Sequence, residues 1–206
     1  MNAELNNGAV PAAAVAVSRR DREARLRQRG HVIWFFGLSG AGKSTLATRL
    51  GRALHESGLF TGSLDGDDLR KGLNQGLGFS DADRSENLRR AAEVARLMVG
   101  SGLVTVCAFI TPRRAQRALV RSIIGADDVT QVFVSASVAT CVRRDPKGLY
   151  ARAQGGQIAQ FTGIGSEFEP PAPDEPVLTI DTEAFPPETC VRQLIEIIGA
   201  KLRVAS

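Results

Sequence analysis

The stretch VIWFFGLSGAGKST, residues 32–45, decides the fold. Val32 to Phe36 is an unbroken apolar run, the mark of a strand buried on both faces of a parallel sheet. Gly37-Leu-Ser-Gly-Ala-Gly-Lys-Ser44 then fits G-x-x-x-x-G-K-[ST] in full, and a helical pattern runs from Lys43 to Ser57. A strand, a glycine turn and a helix in that order form a phosphate cradle. Glycines let backbone N–H groups turn inward around phosphate oxygens, and the helix N-terminus adds partial positive charge. The spacing therefore implies Mg-ATP. The cradle comprises Gly37, Ser39, Gly40, Ala41, Gly42, Lys43, Ser44 and Thr45. Lys43 is placed to reach the β- and γ-phosphates, and the Ser44 hydroxyl to ligate Mg²⁺.

Working outward, strands alternate with helices. Strands are expected at 61–65, 103–110, 129–134 and 177–181, and helices at 84–100, 138–144 and 187–203, with Pro112 in the first turn of a further helix. This alternation predicts an α/β fold: a P-loop NTPase-type parallel sheet flanked by helices. Glycines and prolines punctuate residues 146–176, which read as a long loop acting as a lid. Residues 1–17 have the composition of a flexible tail, and Ser18 is a good N-cap for a short charged helix reaching Arg29. Residues 1–30 are thus expected to be an N-terminal extension and 31–206 the catalytic domain.

The 206 residues suffice for one sizeable domain. A net charge of +4 suits a small anionic ligand and is too weak, without aromatic interleaving, to suggest nucleic acid. Cys107, Cys141 and Cys190 form no C-x-x-C pair and suggest neither zinc nor a disulfide framework. No run reaches the length of a membrane span, and Ala9 to Val17 lacks the basic flank of a signal peptide. A cytoplasmic protein is expected.

On the acceptor side, Leu64-Asp-Gly-Asp-Asp68 ends the second strand, where side chains point into the ligand crevice of a parallel sheet. Asp65 is placed to hold Mg²⁺ through water or to orient an acceptor hydroxyl, whereas Asp68 reads as a helix cap. Arg70, Arg84, Arg89 and Arg90 follow. Guanidinium groups suit phosphate or sulfate, but spacing alone does not say which of the four face inward.

Together these residues resemble adenylylsulfate kinase (APS kinase) over most of the chain from Gly30. The specific pieces are the P-loop, Leu64-Asp-Gly-Asp67, Leu77-Gly-Phe-Ser-Asp-Ala-Asp-Arg84 with Glu86-Asn-Leu-Arg-Arg90, Arg144-Asp-Pro-Lys-Gly-Leu-Tyr150 and Phe161-Thr-Gly-Ile164. The resemblance implies ATP-dependent phosphorylation of the 3′-hydroxyl of adenosine 5′-phosphosulfate. It also implies Lys43, Asp65 and Lys147 as catalytic residues, with Ser44 and Asp65 at the metal. The acceptor site would include Asp67, Arg70, Phe79, Arg84, Asn87, Ile110 and Thr111, completed by Lys147, Gly148, Leu149, Phe161 and Thr162. Phe79 and Phe161 would sandwich the adenine. A homodimer is implied too, with the substrate made by an ATP sulfurylase on a separate chain.

The chain departs from the family pattern in four places. Thr111-Pro112 stands where Ser-Pro is usual, and Asp68 where Asn is usual. The lid reads Arg152-Ala-Gln-Gly-Gly156 in place of a more basic run, and Glu167-Phe-Glu-Pro-Pro171 replaces a tyrosine-containing one. The altered lid motivates an alternative: a related kinase acting on another small nucleotide, such as a capsule precursor. A GTPase-like switch is disfavoured because Asn-Lys-x-Asp is absent from the late strands.

Overall fold

The computed structural model describes residues 16–156, 161–162 and 166–204. Residues 1–15 of the expected tail, and the Gly163-Ile164 part of the lid motif, lie outside the described residues. A short helix α1 (Arg19–Leu26) leads into β1 (His31–Phe36), α2 (Lys43–Glu56), β2 (Thr61–Asp65) and the single turn α3 (Gly66–Leu69). Next come α4 (Asp81–Gly100), β3 (Val104–Ala108), α5 (Arg114–Ile124), β4 (Val129–Ser135) and α6 (Val138–Arg144). The chain continues through α7 (Leu149–Gln154), β5 (Val177–Asp181) and α8 (Pro187–Ile198), followed by a 3₁₀ turn at Gly199–Leu202.

The five strands are all parallel, in the order β2-β3-β1-β4-β5. In β1 the side chains alternate between two cores. Ile33 and Phe35 meet Leu46, Leu50 and Leu54 of α2 and Leu194 and Ile198 of α8. Val32, Trp34 and Phe36 meet Leu88, Ala91, Ala92 and Ala95 of α4 and Val120 of α5. Both sets are buried, which is why the run carries no polar residue. The chain leaves β1 toward β2 but leaves β3 toward β4, so a crevice opens between the C-terminal ends of β1 and β3.

Several expected boundaries shift. The helix expected from Arg84 begins at Asp81, because the Ser80 hydroxyl accepts from Asp83 N and so caps the earlier turn. Pro112 lies ahead of α5 rather than in its first turn, which starts at Arg114. The last helix ends at Ile198 before tightening into the 3₁₀ turn. The lid is not one long loop, since α7 occupies 149–154. Its capping group is Asp145, whose carboxylate accepts from Tyr150 N and Ala151 N at 3.2 and 3.1 Å.

The segment ahead of β1 is knitted to the domain. Ser18 caps α1 as expected. Arg19 makes a two-pronged ion pair with Asp128 and donates to Gly30 O. Gln28 is fully buried: its amide nitrogen Nε2 donates to Phe60 O and Gly102 O, and its Oε1 accepts from Phe60 N. Each of these partners sits just before a strand, at the end of the sheet opposite the crevice.

Candidate active site

The glycine turn after β1 has no room for side chains at two points. A Cβ on Gly37, whose φ is +145°, would come within 2.6 Å of Val134 O, and one on Gly40, φ +75°, within 2.9 Å of Cys141 O. Backbone and left-handed geometry both demand glycine there. The turn is braced from behind. Tyr150 Oη donates to Ser39 O at 3.0 Å, and Thr182 Oγ1 donates to Ala41 O at 2.8 Å. Arg144 reaches Thr182 Oγ1 and Thr182 O at 3.0 and 2.6 Å.

A cavity of about 710 Å³ opens above the turn. Its floor is Ser39, Gly40, Gly42, Lys43, Ser44 and Thr45. Lys43 Nζ donates to Leu38 O at 2.7 Å, and burial pulls its pKa down to about 8. Ser44 Oγ donates to Asp65 Oδ2, while Asp65 Oδ1 accepts from Asp67 N and caps α3. The carboxylate expected to be functional is thus also the cap, and Asp68 instead pairs with the exposed Lys71. Lys147, brought over by the turn before α7, forms an ion pair with Asp67.

One wall of the cavity is made by Asp67, Arg70, Phe79, Arg84, Asn87, Ile110 and Thr111. The structure thereby separates the four arginines. Arg70 and Arg84 hold their guanidinium carbons 4.5 and 5.8 Å from the Phe79 ring centroid, and burial lowers the pKa of each. Arg89 and Arg90 instead pair with Glu86 on their own helix. Two partly desolvated cations around an exposed aromatic face suit an aromatic anion. Phe79 is 60% exposed and available for stacking.

Phe161 and Thr162 lie outside the cavity wall. Phe161 is buried edge-on against Tyr150, with centroids 4.8 Å apart, so the structure does not bring it opposite Phe79. Thr162 Oγ1 accepts from Arg84 at 3.1 Å and so touches the site through that arginine. Leu149 lines the cavity, and Gly148, with φ of 63°, permits the turn that presents Lys147.

Among the described non-glycine residues of the site, Thr111 alone has a left-handed backbone. It holds φ of 43°, a left-handed value uncommon for a β-branched side chain, and is 1% exposed. Its Oγ1 accepts from Trp34 Nε1 at 3.0 Å. Arg117, itself buried, donates toward Pro112 O and Glu169 O and pairs two-pronged with Glu175. The unusual lid ending has a structural role as well: Glu169 accepts from Arg114 N, Glu167 pairs with Arg113, and Phe168 stacks on Phe133.

Sequence reasoning missed the far end of the cavity, which Arg144, Pro146 and the 182–187 segment line. Its signal was available: residues 182–187 directly follow the C-terminal end of β5, where parallel sheets place ligand loops. Among the described residues no three His, Cys, Asp or Glu side chains gather as a metal site. Ser44 and Asp65, hydrogen-bonded to each other, offer a hydroxyl and a carboxylate. That hard-oxygen pair fits Mg²⁺, which keeps waters and takes substrate phosphates as its other ligands.

A glycine cradle with a half-buried lysine, facing an aromatic anion site in one cavity, defines a P-loop phosphotransferase. The profile of the adenylylsulphate kinase family matches residues 29–181, and the chain belongs to that family. It is 48% identical over 195 residues to an adenylyl-sulfate kinase of Bacteroides fragilis, covering 95% of this chain and 96% of that one. It is 51% identical over 185 residues to one from Citrobacter koseri, covering 90% of each. Its fold is similar to that of the Mycobacterium tuberculosis APS kinase in complex with AMPPNP and APS, with a TM-score of 0.78 and 42% identity. That match covers 83% of this chain and 98% of the other.

Proposed function

We propose that the protein transfers the γ-phosphoryl group of ATP to the 3′-hydroxyl of adenosine 5′-phosphosulfate (APS), giving ADP and 3′-phosphoadenosine 5′-phosphosulfate. The observation that carries this reading is the shared cavity, with the phosphate cradle on its floor and the Arg70–Phe79–Arg84 cluster on its wall. The first suits a triphosphate and the second an adenine nucleotide with an anionic 5′ group. The family's known substrate supports the same assignment.

Phosphoryl transfer asks the protein mainly for alignment and charge neutralisation. Lys43 and the turn's N–H groups hold the β- and γ-phosphates, while Arg70, Phe79 and Arg84 hold the acceptor. The O3′–Pγ bond forms as the bond from Pγ to the bridging oxygen breaks. ADP leaves with that electron pair, and the 3′-hydroxyl releases its proton to water. Lys147 exchanges Asp67 for the transferring group. Asp65 orients the attacking hydroxyl. Mg²⁺, held at Ser44 and Asp65, would neutralise charge on the β- and γ-oxygens.

Phe161 and Thr162 complete the acceptor site when the lid closes and excludes water. The kinase works in the cytoplasm as a homodimer on APS made by a sulfurylase on a separate chain. Among the described residues, no helix is long and apolar enough to cross a membrane.

The test is ADP release from Mg-ATP with and without APS, with the nucleotide product identified by mass. APS-dependent release and a product gaining one phosphate at the 3′ position are expected. ATP binding without APS-dependent turnover would overturn the acceptor and turn attention to other nucleotides, including capsule precursors.

A further inference from the structure

We propose that Asn74 is a positioning residue: it locks the amide of Asn87 with its nitrogen toward the cavity, so that this point of the wall accepts only a lone-pair-bearing atom of the ligand. The inference rests on the acceptor reading above and goes beyond it to a residue that does not line the cavity.

Asn74 lies in the turn between α3 and α4 and is fully buried. Its Nδ2 faces two oxygens of one residue, Asn87 Oδ1 at 2.9 Å and the backbone Asn87 O at 3.5 Å. The orientation of an amide is ordinarily an assignment, because its oxygen and nitrogen are alike in shape. Here the neighbouring backbone carbonyl favours one orientation. A backbone carbonyl can only accept, so the Asn74 atom beside it is the nitrogen. That nitrogen can only donate, so the Asn87 atom at 2.9 Å is the oxygen. Asn87 lines the cavity and is 5% exposed. With its oxygen spoken for, Nδ2 is the atom left for the ligand, and it donates to none of the described residues.

The cavity wall is therefore donor-only at this point, as it is at Arg70 and Arg84. A phosphate or sulfate oxygen, or an unprotonated ring nitrogen, satisfies Asn87; an exocyclic amino group does not. Asn74 Oδ1 is buried and has no partner among the described residues. An orphaned acceptor is unfavourable for folding, and the turn is already held by its backbone, Asn74 N to Leu69 O and Leu77 N to Asn74 O. The side chain thus contributes to the setting of Asn87 rather than to the turn.

The experiment is a double-mutant cycle with Asn74→Leu, Asn87→Ala and the pair, plus Asn74→Asp, each assayed for KM of APS, KM of ATP and thermal midpoint. Asn74→Leu should raise the KM for APS about tenfold, the scale of one lost hydrogen bond. The KM for ATP and the thermal midpoint should stay near wild type, because the orphan is removed too. Asn74→Asp should be worse, since a carboxylate repels both oxygens and turns the Asn87 amide over. The double variant should match Asn87→Ala alone. Additive effects, or an equal rise in both KM values, would overturn the proposal. A wild type inert toward APS would overturn the acceptor reading instead. The positioning claim is then decided by ¹⁵N relaxation of the Asn87 side-chain amide, which should be rigid in wild type and mobile in Asn74→Leu; equal order in both would sink it.

Discussion

Ser44 Oγ donates a 2.8 Å hydrogen bond to Asp65 Oδ2, joining the first turn of α2 to the end of β2 across the mouth of the crevice. The other Asp65 oxygen accepts from Asp67 N at 2.9 Å. One carboxylate therefore serves both the metal position and a helix cap. Asp65→Asn keeps the cap, because asparagine caps as well as aspartate. It should lower kcat by about 10²-fold or more, since a metal site supplies several kcal/mol of charge stabilisation. Titrating activity with Mg²⁺ alongside a thermal melt checks this. Wild-type kcat and Mg²⁺ dependence in the variant would remove Asp65 from the reaction.

Lys43 should give the free enzyme a pH dependence. Burial holds its pKa at about 8. Below that value the ammonium is charged and attracts the triphosphate; above it the neutral amine does not. The kcat/KM for ATP, which reports the free enzyme, should be level to about pH 8 and then fall about tenfold per unit. A level profile to pH 9.5 would mean that Lys43 keeps its proton in the empty site.

Thr111→Val keeps the shape but leaves Trp34 Nε1–H buried without an acceptor. It should destabilise the protein by about 1–3 kcal/mol, the penalty of an orphaned buried donor. Thr111→Ser retains the hydroxyl and sheds the β-branch that disfavours the left-handed backbone, so it should be neutral or stabilising and stay active. Denaturant unfolding of both variants decides the matter. Equal stability of the two would show that the Trp34 hydrogen bond contributes nothing.

Glu175→Gln takes the negative partner from Arg117, whose side chain is 1% exposed. Stranding a buried guanidinium typically costs about 3–5 kcal/mol. Because Arg117 also ties Pro112 and Glu169, the loss should loosen the wall beside Thr111 and the end of the lid together. Hydrogen exchange at 109–113 and 166–176 should rise in step. Faster exchange in only one of the two segments would break the proposed link.

The fold was legible in advance where pattern is local. The all-apolar β1 run, the glycine turn and the α2 periodicity each speak from consecutive residues, and strand positions were read to within two or three residues. What escaped depends on distant parts meeting. Six residues between glycines carry too little periodicity to announce α7, and only the folded chain shows Asp145 capping it. Nothing in the spacing of Arg70, Arg84, Arg89 and Arg90 tells which pair Glu86 will claim. Thr111 looks ordinary until its φ is known, and Arg144 and Thr182 brace the P-loop from 103 and 141 residues away in sequence.

The anchoring of Arg19 and Gln28 has a consequence for how the chain can be handled. Both are fastened where strands begin, whereas ligands enter where strands finish, about 17 Å away across five residues of β-structure. Ser18 therefore stands at the back of the molecule, away from the front through which ligands pass. Trimming into residues 19–28 would expose Asp128 and the main-chain groups of Phe60 and Gly102, so the shortest well-behaved version of this enzyme starts before Ser18.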